Sequence, residues 1–192
     1  MTVPSETARA WVDVDLDALA ANARTLAAAC GTRLLPMVKA NGYGLGATRV
    51  ARALEPLDPW GYGVATVEEG ASLRQAGVRR PILVVSPLTH ETLESTLGAG
   101  FRPTIGDPVT LRAWLARAEA PFHLEIDTGM SRGGLRWSEH RAIAETARLL
   151  VAAPGWEGVF THFHSADTDE GSVSTQWQRF QTTLAALGRR PP

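Results

Sequence analysis

Cysteine is almost missing from this chain: Cys30 stands alone among 192 residues, so neither an intrachain disulfide nor a cysteine-based zinc site can form. A lone cysteine in a helical stretch predicts a small buried side chain. Lysine is equally scarce, since Lys39 is the only one and arginine supplies the rest of the basic charge. An excess of either charge is also missing. With 19 basic against 20 acidic side chains the formal charge is -1, which leaves no electrostatic footprint for a nucleic-acid partner. A 44% apolar content argues against wholesale disorder. Long apolar runs do not occur: Ile82-Leu83-Val84-Val85 falls far short of the ~18 residues of a membrane span. Nor does a basic stretch followed by an apolar one open the chain. These absences predict a cytoplasmic globular protein that engages neither nucleic acid nor membrane.

What the sequence does contain is a repeated alternation. Trp11-Val12-Asp13-Val14-Asp15 alternates apolar and acidic residues and predicts a half-buried strand. Residues 17–30 are strong helix formers stopped by Gly31. Asp13, Asp15 and Asp17 resemble a metal run, but they read better as a solvated strand face leading into a helix N-cap. The six tryptophans are scattered and read as core or interface packing. From Leu34 onward one unit recurs. Its apolar stretches are 34–39, 61–66, 81–85, 102–105, 122–127 and 158–163, and the helical stretches between and after them are 47–54, 67–75, 91–97, 108–118, 138–151 and 174–187. Short strands alternating with helices imply parallel βαβ units.

Two α/β architectures compete for that pattern. A doubly wound sheet would place a glycine fingerprint after its first strand, and Asn41-Gly42-Tyr43-Gly44-Leu45-Gly46 fits G-x-G-x-x-G poorly. A (β/α)8 barrel collects functional residues at the C-terminal ends of its strands; Lys39, Thr66, Ser86, Asp127 and His162 stand there. The prediction is therefore a TIM-type (β/α)8 barrel preceded by a strand and helix over residues 1–32. A whole barrel takes ~250 residues, so residues 33–192, with about six βα units, are expected to be its N-terminal part. The chain looks cut short.

Several side chains could carry chemistry. Lys39 closes an apolar strand, where desolvation lowers an amine's pKa and prepares it for Schiff-base formation; a lysine at a strand end can equally be a solvated cap. Tyr43 follows within a loop whose Gly42, Gly44 and Gly46 are expected to expose amide N–H groups, a combination that suits a phosphate. A plain strand-to-helix turn is the alternative. Arg132 lies in Asp127-Thr128-Gly129-Met130-Ser131-Arg132-Gly133-Gly134, and its fork suits a carboxylate, although spacing alone would also fit a surface ion pair. His162-Phe163-His164 places two imidazoles on one strand face with no third ligand evident, so no metal is predicted.

Together, Pro36-Met37-Val38-Lys39-Ala40-Asn41-Gly42-Tyr43-Gly44-Leu45-Gly46, the Asp127–Gly134 motif and Thr161-His162-Phe163-His164-Ser165-Ala166-Asp167 resemble the alanine racemase family. The three motifs are collinear, and the resemblance runs from about Trp11 to Leu187. The family implies pyridoxal 5'-phosphate as cofactor and a fold-type III barrel. It implies that Lys39 holds the cofactor as an internal aldimine and serves as base on one face of the substrate carbon, and that Tyr43 reaches the cofactor phosphate. Arg132 resembles the arginine that meets the cofactor's phenolic oxygen and the substrate carboxylate; Met130 is read as packing beneath its loop, a substrate-binding candidate, and Asp127 as supporting it. His162 resembles a histidine paired with an arginine that faces the pyridine nitrogen, a partner expected beyond residue 192. At Glu125 many members carry a lysine that becomes carbamylated. A glutamate supplies that charge unmodified, and Glu125 is read either as the orienter of Arg132 through a charge-assisted hydrogen bond or as part of a barrel-lining salt bridge.

The implied activity interconverts L- and D-alanine, supplying D-alanine for peptidoglycan, in a homodimer whose second proton-transfer group is a tyrosine from a C-terminal β-domain absent from these residues. Racemases of other or broad specificity, a non-catalytic barrel for pyridoxal phosphate homeostasis, and metal-assisted aldolase chemistry are the rival readings.

Overall fold

A computed structural model describes residues 11–191. The first helix, α1 (Leu16–Cys30), begins where the Asp15 carboxylate accepts from Ala18 N–H at 2.9 Å and ends at Gly31, whose φ of +64° the absent Cβ permits. It buries only Ala20 and Ala23. Cys30, expected inside, is exposed, because the last turn of α1 has no buried side chain. The strand expected at residues 11–15 is not formed: alternation makes a strand only where another strand offers hydrogen bonds, and Trp11 and Val12 stand in solvent.

The sheet starts instead with the extended segment 34–38. Trp60 N–H donates to Leu34 C=O, Gly63 N–H to Pro36 C=O, and Val38 N–H to Gly63 C=O, at 2.8–2.9 Å. Pro36 has no N–H to give, so this first stave is bonded thinly. Beside it run β1 (Tyr62–Val64), β2 (Ile82–Pro87), β3 (Arg102–Ile105), β4 (Phe122–Asp127) and β6 (Trp156–Phe160), all parallel and in that spatial order. The two-residue β5 (Leu135–Arg136) pairs with the end of β4. This is the α/β barrel architecture predicted from the alternation, seen as an open run of staves.

After segment 34–38 comes α2 (Lys39–Tyr43), a single irregular turn, and then α3 (Ala47–Leu54). The connecting helices α4 (Val67–Gln75), α5 (His90–Gly98), α6 (Pro108–Leu115), α7 (His140–Leu150) and α8 (Glu170–Ala186) follow β1, β2, β3, β5 and β6. Four of these five start at a side-chain cap, from Thr66, Thr89, Asp107 and Asp169.

The period of two along each strand divides the side chains. On β4, Phe122, Leu124 and Ile126 join Trp114, Leu111, Leu150 and Trp156 in the helix-facing core, while His123 and Glu125 face the barrel interior beside Leu83 and Val85 of β2. No helix among the described residues is long and apolar enough to cross a membrane.

Candidate active site

The barrel interior encloses a cavity of about 660 Å³. Lys39, Tyr43, Glu125, Arg132 and His162 all line it, with Trp60 and His123 further along. Three separate connections thus deliver to one space an amine and a phenol, a guanidinium, and an imidazole.

Lys39 enters at the start of an unusual turn. Ala40, Asn41, Gly42 and Tyr43 have φ of +51°, +52°, +66° and +54°, a full left-handed turn in which each residue carrying a Cβ is disfavoured by about 1–2 kcal/mol. The hand of the turn is held by a dense local set of bonds. Gly42 N–H donates to Val38 C=O, Gly44 N–H to Ala40 C=O and Gly46 N–H to Asn41 C=O. The Asn41 side chain accepts from Ala47 N–H at 3.0 Å, capping α3. From outside the turn, Glu69 accepts from Ala40 N–H at 2.8 Å.

The expectation that Gly42, Gly44 and Gly46 display free amides is therefore corrected. Those N–H groups close the turn on itself, and the glycines serve its left-handed geometry rather than an anion nest. At Gly42 a Cβ would lie 3.1 Å from the Ala47 amide nitrogen. Tyr43 is exposed at the rim, and among the described residues its hydroxyl has no hydrogen-bond partner.

Arg132 sits in the connection from β4 to α7. The Asp127 carboxylate beneath that loop accepts from Gly129 N–H and Ser131 N–H, both at 3.0 Å. Thr128 and Thr161 share a hydroxyl hydrogen bond of 2.8 Å. From α8, Arg179 donates to Thr128 C=O at 2.9 Å and lays its guanidinium over the Trp137 ring at 4.4 Å, so both ends of the loop are fastened by one side chain. Sequence reasoning did not single out Arg179; its partner, a backbone carbonyl 51 residues away, leaves no local pattern. Met130 does not line the cavity.

Glu125 is buried beside this loop, and burial pushes its carboxyl pKa up, with nearby Arg132 pulling it down and Asp127 adding to the rise. The direct Glu125–Arg132 hydrogen bond read from the sequence is not made. Gly133 and Gly134 pack against the glutamate, so close that a Cβ at Gly134 would lie 3.0 Å from Glu125 Cγ, and Glu125 and Arg132 line the same cavity without bonding to each other.

His162 lies two residues beyond the end of β6. Desolvation lowers its pKa, and the positive charges of Arg132 and Lys39 lower it further. His164, its neighbour in sequence, instead faces Ser165 and Ser172 at 3.1 and 3.3 Å, so the two imidazoles serve different places.

Among the described residues, Lys39, Tyr43, Arg132 and His162 have no hydrogen-bond or ion-pair partner within the chain. A set of unpartnered donors around one primary amine fits an anionic ligand bearing a carbonyl, and pyridoxal phosphate has both features.

Comparison with known proteins agrees with that chemistry. The family described as "Alanine racemase, N-terminal domain" matches residues 14–192. Alanine racemase from Symbiobacterium thermophilum is 41% identical over 94% of this chain and 50% of its own length. A solved alanine racemase from E. faecalis superposes with a TM-score of 0.82 at 32% identity, covering 93% of this chain and 50% of that one. Another, from Bartonella henselae and described with covalently bound pyridoxal phosphate, has a TM-score of 0.82 at 27% identity over 92% and 54%. The chain spans about half the length of the relatives it matches.

Proposed function

Because the chain belongs to the alanine racemase N-terminal domain family, we propose that it forms the cofactor-bearing half of a pyridoxal phosphate-dependent alanine racemase. The observation that carries this reading is the meeting of Lys39, Tyr43, Arg132 and His162 in one cavity at the C-terminal ends of parallel strands. Lys39 would hold the cofactor through its ε-amine and Tyr43 would meet the phosphate. When bound, the cofactor supplies an electron sink that makes the substrate Cα–H acidic.

The rest is the work of this chain's own residues. The Lys39 amine would also be the base placed to take or return the α-proton on one face. The Arg132 fork is free to hold a carboxylate bidentately and stays cationic throughout. His162, whose pKa is lowered by desolvation and further by Arg132 and Lys39, offers a polar contact. Asp127 and Arg179 keep the Arg132 loop in register. In the whole protein the barrel over residues 33–192 would be completed by further strands, and the opposite-face proton group would come from a second subunit of a cytoplasmic homodimer.

The test uses pyridoxal phosphate alone. Incubation with the chain, borohydride reduction and peptide mass analysis are expected to locate one pyridoxyl group on Lys39. In a longer protein that contains this chain, Lys39→Ala is expected to abolish both that adduct and alanine racemisation. A modified site elsewhere, or racemisation surviving without Lys39, contradicts the proposal.

A further inference from the structure

The turn that follows Lys39 is gripped by a carboxylate from another element. Glu69, in the first turn of α4, accepts from Ala40 N–H at 2.8 Å with one oxygen and from Ala65 N–H at 2.7 Å with the other. Ala40 is the residue directly after Lys39 and the first of the left-handed run. Ala65 directly follows β1.

The sequence around Glu69 makes this arrangement unexpected. Thr66-Val67-Glu68-Glu69 has the spacing of a capping box, in which the glutamate normally returns to the amide of the capping residue. Half of the box is present, since Thr66 Oγ1 accepts from Glu69 N–H at 3.3 Å. The other half is diverted: the carboxylate reaches past its own helix start to residues 40 and 65. Bonds from amides to a carboxylate are the stronger kind. A run of left-handed residues persists only where its surroundings over-determine it.

We propose that Glu69 is a positioning residue for Lys39. By tying Ala40 N–H to the head of α4 and the end of β1, it holds the left-handed turn and keeps the Lys39 ε-amine aimed into the cavity beside Arg132 and His162. Glu69 acts through the backbone and touches neither cofactor nor substrate. The inference rests on the reading of Lys39 as the cofactor-bearing amine.

The experiment compares the parent chain with Glu69→Ala, Glu69→Gln and Thr66→Ala, with pyridoxal phosphate as the probe. The Lys39 amine attacks the aldehyde carbon, water leaves, and borohydride reduces the resulting C=N bond, so the rate of adduct formation at Lys39 is read by peptide mass. Hydrogen exchange at the Ala40 and Ala65 amides is followed in parallel. Glu69→Ala is expected to slow adduct formation about ten- to a hundredfold, the scale of a misplaced reacting group, and to speed exchange at both amides. Glu69→Gln, which retains one acceptor oxygen, should fall between it and the parent, and covers the case in which Glu69→Ala does not fold. Thr66→Ala loses the helix cap but leaves the Glu69 carboxylate bonds, so it should lower stability while keeping the parent's adduct rate.

If the parent forms the adduct and both folded Glu69 variants form it equally fast, this inference falls and the racemase reading stands. An equal slowing in Thr66→Ala also overturns it, because general loosening would then suffice. A parent that forms no adduct at Lys39 overturns the racemase reading and this inference with it.

Discussion

Two side chains inside the barrel set opposite pH dependences. Glu125 has its carboxyl pKa raised by burial above the unfolded value of 4.5, so the folded state holds that proton more tightly than the unfolded chain. The folded state is consequently penalised as pH rises through the shifted value, and the penalty is present at neutral pH. Glu125→Gln is expected to raise stability at pH 7 by an amount of order 1 kcal/mol and to change nothing near pH 3, measured by thermal unfolding followed by circular dichroism. A loss of stability at pH 7 would mean that Arg132 does depend on the charge. His123 behaves in the other sense. Burial lowers its pKa below 6.5, and the attraction of Glu157 at 3.3 Å only partly offsets this. The carboxylate of Glu157 is already held by Arg102, through two contacts of 3.0 and 3.2 Å. The unfolded chain therefore binds more protons than the folded one between the depressed value and 6.5, and stability falls as pH drops through that window. His123→Gln is expected to flatten that fall, visible in urea midpoints taken at pH 7 and pH 5.5; an unaltered slope would assign it to His162, whose shift has the same sign.

At the scale of elements, the sequence made most of the fold readable and left specific parts hidden. The alternation of apolar stretches with helices located β2, β3 and β4 within a residue or two, because Ile82, Ile105, Leu124 and Ile126 are buried on the helix-facing side of a parallel sheet. It failed at residues 11–15, where the pattern was right for a strand but no sheet edge is there to pair with. Lys39, Arg132 and His162 were readable as motifs because each closes or follows a strand in a polar, glycine-bearing stretch. Glu69 and Arg179 were not, since each acts on backbone groups far away in sequence. The left-handed turn was hidden for a different reason: of its three non-glycine members only Asn41 is of a type that favours positive φ, and Ala40 and Tyr43 give no such hint. That turn makes its own prediction. Gly42→Ala places a Cβ 3.1 Å from the Ala47 nitrogen at a φ of +66°, and is expected to cost about 1–2 kcal/mol in a denaturant unfolding series, with weaker uptake of pyridoxal phosphate. An unchanged midpoint would mean that α3 yields easily.

For the molecule as a whole, the described staves form an open sheet. Segment 34–38 pairs only with β1 and β6 pairs only with β4, so among the described residues each presents an unpaired edge of N–H and C=O groups. An apolar groove of about 630 Å³ lined by α1, segment 34–37 and α3 adds exposed hydrophobic surface on the same side. The 192-residue chain on its own is expected to be marginally stable, to self-associate and to hold pyridoxal phosphate weakly. On the racemase reading it would supply only the Lys39 proton-transfer group, and loss of a second such group lowers rates by ~10²–10⁴-fold. Alanine racemisation by the isolated chain, followed by circular dichroism of the amino acid, should therefore stay far below an ordinary turnover of about 10 s⁻¹. The central claim, that Lys39 is the cofactor-bearing amine of this barrel, needs no turnover to test. Lys39 is the only lysine in the sequence, so borohydride reduction with pyridoxal phosphate followed by peptide mass analysis gives a direct answer: a single pyridoxyl group on the peptide containing Lys39 is the predicted result, and label confined to the N-terminal amine, or none, contradicts it.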